Sequence, residues 1–320
     1  MRKIKLSFIL TLLSLIVFIS ACAKSEEDTS VVIDSNKPQI VTSIFPVYEI
    51  VREVAGDQAD VHLMVGSSED AHHYEPSAKA ILLVNEADAF VYSSEEMEFW
   101  VSDMLTVVEN KDLHIVELAE GIDLEIETAD DHEDGEGHDD HDGHNHGNVD
   151  PHIWLDPVAI SAQVPVLVDI LTEIDPDGAS AYQENGAKLT TALEELDEAF
   201  RQSFKDATKR SFVVQHKAFG HLANRYNLTQ MSVGGLSTEV EPNPKDLIQI
   251  INFVEENNTE VIFYQGGDTS AVAETIAAET GSEFSVLYDL ENKPEGIEES
   301  GNIYFKAMYH NLDELKKVIY

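Results

Sequence analysis

Three histidines and one glutamate stand in contexts that suit metal ligation. His72 lies in Asp70-Ala71-His72-His73-Tyr74-Glu75-Pro76, after the apolar run VHLMV. His152 lies in Asp150-Pro151-His152-Ile153-Trp154-Leu155-Asp156-Pro157; His216 ends the run SFVVQH, and Glu291 follows FSVLYDL. Three imidazoles and one carboxylate complete a tetrahedron around zinc, with one net positive charge. Four protein donors hold an ion and leave no position for a substrate, which is the chemistry of capture. A zinc hydrolase needs an open metal position and a nearby base, and no H-E-x-x-H pattern occurs in the chain. Two competitors stand close by: His73 beside His72, and Asp289 two residues before Glu291.

The elements around these residues read as an α/β fold with mainly parallel sheets. QIVTSI, VHLMVG, ADAFVYS and LHIVELA read as strands, with FPVYEIVREVAG and PSAKAILLVNEA as helices between the earlier ones. The rhythm resumes at SFVVQH and continues through KAFGHLANRYN, LTQMSVG, NPKDLIQIINFVEEN, TEVIFYQ, SAVAETIAAETG and FSVLYDL to a closing helix from Tyr304. Strands alternating with helices indicate parallel sheets covered on both faces. Ligands in such sheets bind outside the carboxyl ends of strands, where all three histidines are expected. Between the two series, Tyr182, Leu189, Leu193, Leu196, Phe200 and Phe204 recur at steps of 7, 4, 3, 4 and 4. That is one face of a long amphipathic helix, with Asp177 as its expected cap. The expected organisation is a signal peptide over 1–21, a tether over 22–37, an N-terminal α/β domain over 38–177, a connecting helix over 178–207 and a C-terminal α/β domain over 208–320.

Hydrophobic residues make up 43% of the 320, so the chain can bury a core; its net charge of -41 excludes nucleic acid as a partner, because phosphate contacts require Lys and Arg. Such a charge draws cations toward the surface; adaptation to an unusual external medium accounts for it equally well. The segment 129–148 holds Asp, Glu, Gly, Asn and His with Ala129 as its only apolar residue, and reads as a loop. Its His132, His138, His141, His144 and His146 form the kind of tract that binds metal. Arg2, Lys3 and Lys5 precede an uncharged apolar run from Leu6 to Ile19, and Cys22, the one cysteine, follows Ile19-Ser20-Ala21. This is a secretory pattern and resembles the bacterial lipoprotein lipobox, which implies cleavage after Ala21 and lipidation of Cys22.

DAHHYEP, DPHIWLDP and SFVVQHKAFGHLANRYNL, in that order, resemble the three signatures of the metal-binding receptors of ABC importers, and the resemblance runs from Gln39 to Tyr320. It implies two α/β domains joined by one helix, with His72, His152, His216 and Glu291 as ligands. His at the third position resembles the zinc receptors; manganese receptors carry Glu there and Asp in the last position. The acidic His-rich loop is also a feature of the zinc receptors, and its place before His152 implies an accessory role in collecting zinc. The implied function is a non-enzymatic, lipid-anchored extracytoplasmic receptor, acting as a monomer, that passes zinc to a membrane permease. A surface-adhesion role, sometimes attributed to the same family, is compatible with transport. The donor set also suits copper(II). Affinity for zinc is expected to fall as pH drops through the histidine range, and the connecting helix implies a small tilt between domains. Tyr74 and Trp154 are expected to pack dryly around the site; His62, His114, His221 and His310 read as surface or helix-face residues.

Overall fold

The computed structural model describes residues 36–319 apart from 68, 126–148, 234–243, 257–258, 266–270 and 299. Cys22, the leader and the five loop histidines therefore lie outside the described residues.

The N-terminal lobe holds β1 (Gln39–Thr42), α1 (Phe45–Ala55), β2 (Asp60–Leu63), α2 (Ala78–Asn85), β3 (Ala89–Tyr92), α3 (Trp100–Leu105) and β4 (His114–Glu117). Its sheet runs β2-β1-β3-β4, with every pair parallel, Val41 beside His62 on one side and Phe90 on the other. All four residues of β3 are buried, as expected of a central strand covered on both faces. The C-terminal lobe holds β5 (Ser211–Val214), α6 (Gly220–Arg225), β6 (Thr229–Ser232), α7 (Pro244–Glu256), β7 (Val261–Tyr264), α8 (Ala271–Thr280), β8 (Glu283–Val286) and α9 (Ile303–Lys316). Here α4 (Pro157–Ile174) and α5 (Ala179–Phe204) come between the lobes. The second sheet runs β6-β5-β7-β8, again all parallel. The two lobes thus repeat one strand order.

Helix α5 spans 26 residues, about 39 Å at ~1.5 Å per residue. Tyr182, Leu189, Leu193, Leu196, Phe200 and Phe204 are all buried along it, each burial stabilising by roughly 1.5–3 kcal/mol. A Cβ on Gly186 would stand 2.5 Å from Val168 Cγ2 on α4, so only glycine lets the two helices meet this closely. The main hydrophobic core is continuous through both lobes and α5, and a smaller one around Val213, Ile250 and Ile262 backs the second sheet.

Two local readings are corrected. Asp177 does not cap α5: the N-cap is Gly178, after a short 3-10 turn over Pro176–Gly178. The strands stop earlier than their apolar runs suggest, so β5 ends at Val214 and β8 at Val286, leaving His216 and Glu291 in the loops beyond. Helix α3, which the expected element order lacks, buries Trp100, Val101 and Met104. Caps not anticipated from pattern are Asp156, which accepts from Val158 N–H at the start of α4, and Asn302, which accepts from Phe305 N–H in α9.

Candidate metal centre

One carboxylate oxygen gathers the three histidines. Glu291 Oε1 lies 2.7 Å from His216 Nε2, 3.0 Å from His152 Nε2 and 3.3 Å from His72 Nε2. One donor atom from each of the four residues lies within 4.8 Å of all the others. Zinc bonds of ~2.0–2.1 Å give a tetrahedron with edges of about 3.3 Å, so these separations suit four donors around one ion. The imidazoles meet edge to face, with centroids 5.1 to 6.3 Å apart. His152, His216 and Glu291 are buried, and the His72 side chain is 9% exposed. His73 points elsewhere: its side chain is 56% exposed and its Nδ1 lies 3.4 Å from Asp70. Asp289 stays out of the cluster, accepting from the Glu291 N–H at 3.3 Å through Oδ1.

Each of these four residues owes its position to different neighbours. Asp70 Oδ1 accepts from the N–H groups of His72 (2.8 Å) and His73 (3.2 Å). Behind this turn, Trp100 Nε1 donates to the Ala71 carbonyl at 3.4 Å. His152 is held by Asp150, whose Oδ1 takes the His152 N–H at 2.9 Å and faces Nδ1 at 2.6 Å. With Nδ1 so occupied, Nε2 is turned toward the centre, the usual outer support of a metal-binding imidazole. Asp150 in turn accepts from Gly220 N–H through Oδ2 at 3.1 Å, and its carbonyl meets His221 Nε2 at 2.7 Å. His221 is thus a buried bracing residue, not the surface or helix-face residue its context suggested. His62 and His310 are half-buried, Nε2 meeting Gln39 Oε1 and the Val286 carbonyl respectively, and His114 begins β4.

Trp154 packs edge-on against His152 at 5.2 Å and donates from Nε1 to the Asp289 carbonyl at 2.6 Å. Tyr74 packs on Trp100 at 5.1 Å and supports the first turn from behind. Leu290, between the two carboxylates, has φ 66°, a left-handed conformation that costs a non-glycine residue roughly 1–3 kcal/mol. Its neighbours fix it: Tyr288 donates to Asn311 Oδ1 and accepts from Asn311 Nδ2.

The charges in the cluster are mutually set. Burial disfavours a charge on His152, but the Asp150 and Glu291 carboxylates outweigh it and hold the imidazolium up to about 10. Burial also opposes ionisation of Glu291; His216, with hydrogen bonds from His152, His216 and His72, reverses this and holds the carboxyl well below its usual range. Asp150 is kept low in the same way, its burial outweighed by His152. For Asp289, burial and the nearby Glu291 charge outweigh His216 and His152 and push it up to about 7.

A family model described as zinc-uptake complex component A, periplasmic (ZnuA), matches residues 40–318. The high-affinity zinc uptake system protein ZnuA of Bacillus subtilis is 36% identical over 300 residues, covering 94% of this chain and 93% of its own length. The zinc-binding lipoprotein AdcA of Streptococcus pneumoniae is 34% identical over 305 residues, 94% of this chain; the match takes in 58% of AdcA, so the chain spans a little over half that relative's length. The Zn(II)-bound ZnuA-like domain of the same AdcA superposes with a TM-score of 0.73 at 34% identity, covering 88% of this chain and 99% of the domain. The sequence match over nearly the whole chain, together with the shared architecture, places it: this chain belongs to the ZnuA family of zinc-uptake component A proteins.

Proposed function

We propose that this chain is a lipid-anchored extracytoplasmic receptor that captures zinc and hands it to the permease of an ABC importer. The observation that carries the reading is the convergence of three imidazole Nε2 atoms on one buried carboxylate oxygen. A nitrogen-rich set of four protein donors suits zinc and closes the coordination sphere, which favours transfer over catalysis. The relatives named above are named for zinc binding and zinc uptake, which supports transport over a surface-adhesion role.

Capture and release follow from how the ligands are held. His216 and Glu291 belong to the C-terminal lobe. His152 comes earlier in the chain, yet Asp150, Trp154 and Asp156 tie its segment to Gly220, Asp289 and Arg225. The His72 turn is held within the N-terminal lobe, whereas the His152 segment joins its Asp150 N–H to the Leu124 carbonyl of that lobe and its side chains to the other. A zinc ion would therefore join the lobes chiefly through His72, and opening the seam there would leave a three-coordinate ion ready to leave. A small tilt suffices for that. Zinc binds deprotonated imidazoles, so affinity falls as pH falls. The acidic His-rich loop, through His132, His138, His141, His144 and His146, would raise the local zinc concentration, and lipid on Cys22 would keep the receptor beside its permease; Cys22→Ser should leave the membrane fraction, and retention there would count against the anchor.

The reading is tested by zinc competition against a chelator, using the chain from residue 22 onward without residues 130–147. One tight zinc places the site on the folded core and makes the loop an accessory. No tight zinc means the loop supplies essential ligands and the assignment of His72, His152, His216 and Glu291 is wrong.

A further inference from the structure

A partly open cavity of about 210 Å³ adjoins the cluster. Glu291 forms part of its wall, along with Asp289, Asn292, Gln265 and, from the N-terminal lobe, Ser67. The cavity therefore lies along the seam between the lobes. Lys293 and Glu295 also line it, placing one charge of each sign there. Three of its wall residues carry a buried oxygen with no hydrogen-bond partner among the described residues: Asp289 Oδ2, Asn292 Oδ1 and Gln265 Oε1. Asp289 is 7% exposed, and its other oxygen is engaged by the Glu291 N–H.

A buried acceptor without a donor is costly, and a buried carboxylate is normally paired or bound to a cation. Here the unsatisfied atoms are all oxygens, and the residues that carry them line one cavity. Carboxylate and amide oxygens bind zinc less well than imidazole does, so a stop here would be shallow. Glu291 belongs to both places, lining the cavity and meeting the three imidazoles.

We propose that this cavity is the ion's passage between solvent and the four-residue cluster, with Asp289 as an intermediate ligand assisted by the amide oxygens of Asn292 and Gln265. The divalent ion enters carrying waters and exchanges part of its shell for Asp289. It then passes to Glu291 and gives up the remaining waters to the imidazoles; no covalent bond is made or broken. The inference rests on the zinc reading above, and it assigns Asp289 a role in the rate of transfer, distinct from the ligands' role in affinity.

A stop on the path speeds loading and release together and leaves their ratio alone. The experiment is stopped-flow loading and chelator-driven release of one equivalent of zinc on the whole chain, comparing Asp289→Asn and Asn292→Ala with the parent. It is run at ~0.5 M salt, where attraction between exposed charges is screened beyond about 4–5 Å. Asp289→Asn is expected to slow both rates roughly tenfold, the scale of a local electrostatic contribution to capture, with Kd changing less than the rates. Asn292→Ala, which keeps the charge, should show the same pairing at smaller size. A weakened Kd with unchanged loading would make Asp289 a support of the bound ion and overturn the passage; unchanged rates in both variants would overturn it equally. If the parent chain shows no tight zinc, the function reading has failed instead.

Discussion

The turn that carries His72 and the segment that carries His152 both follow strands of the N-terminal sheet, yet the first is held within that lobe and the second is tied to both lobes. The first is braced locally. Asp70 holds its N–H groups, and Trp100 and Tyr74 pack behind it; its contacts with the other lobe in the cluster run from His72 to Glu291 and to the His216 ring. The second is stitched across the seam. Arg225 clamps Asp156 with contacts of 2.7 to 3.0 Å, Trp154 donates to Asp289 and Tyr304 Oη donates to the Trp154 carbonyl at 2.8 Å. A carboxylate that both caps α4 and binds a guanidinium cannot be released without stranding two partners. The contrast teaches that lobe membership by chain order differs from mechanical membership, and that an ion shared by four ligands can be freed by moving one.

The strongest way to break this comparison is to delete the ligands one at a time. His152→Ala and His216→Ala should each weaken zinc binding by more than about 100-fold, beyond the usual loss for an outer support. His72→Ala should retain measurably more affinity than either, because the remaining three donors stay fixed to one body. Equal losses for all three, by chelator competition, would erase the asymmetry.

A second effect concerns what stands behind the His72 turn. Glu98 is fully buried and accepts from Ser43 Oγ and from the Ser93 and Ser94 N–H groups, tying together the ends of β1 and β3 two residues before Trp100. Burial pushes it up to about 7 despite those donors. The folded chain therefore holds this proton more tightly than the unfolded chain does. The resulting stability is fully present below about 4.5 and is lost as pH rises through about 7, on the order of 3 kcal/mol in all. Glu98→Gln should flatten that part of the pH dependence in urea unfolding. A slope between pH 5 and 7 identical to the parent's would assign it to other groups.

The smallest effect sharpens the contrast between the two supporting aspartates. Asp150→Ala should cost about 10- to 100-fold in zinc affinity, the range for an outer partner of a metal-binding imidazole. Asp70→Ala removes partly exposed backbone hydrogen bonds and should cost only about 1 kcal/mol. Titrations in which the two variants lose equally would show that the first turn needs its brace as much as the second does.

The four clustered residues stood out in the sequence because three signatures occur in order, and because His72, His216 and Glu291 follow apolar runs. The stripe on α5 was legible from its spacing alone. The stitching was not. Asp150 and Gly220 stand 70 residues apart, and Trp154 and Tyr304 stand 150 apart, distances at which no local pattern signals contact. His221 read as a helix-face residue for the same reason: its partner is a backbone carbonyl, which leaves no trace in side-chain patterning. Strand ends were overestimated because the apolar runs continue past the last paired residue, as Leu290 does while packing in the core.

The most direct test of the four-ligand centre is anomalous diffraction at the zinc edge from crystals of the zinc-loaded chain. The account predicts a peak bonded to His72, His152 and His216 through Nε2 and to Glu291. A peak ligated by Asp289 or His73, or one with water in place of Glu291, would contradict it.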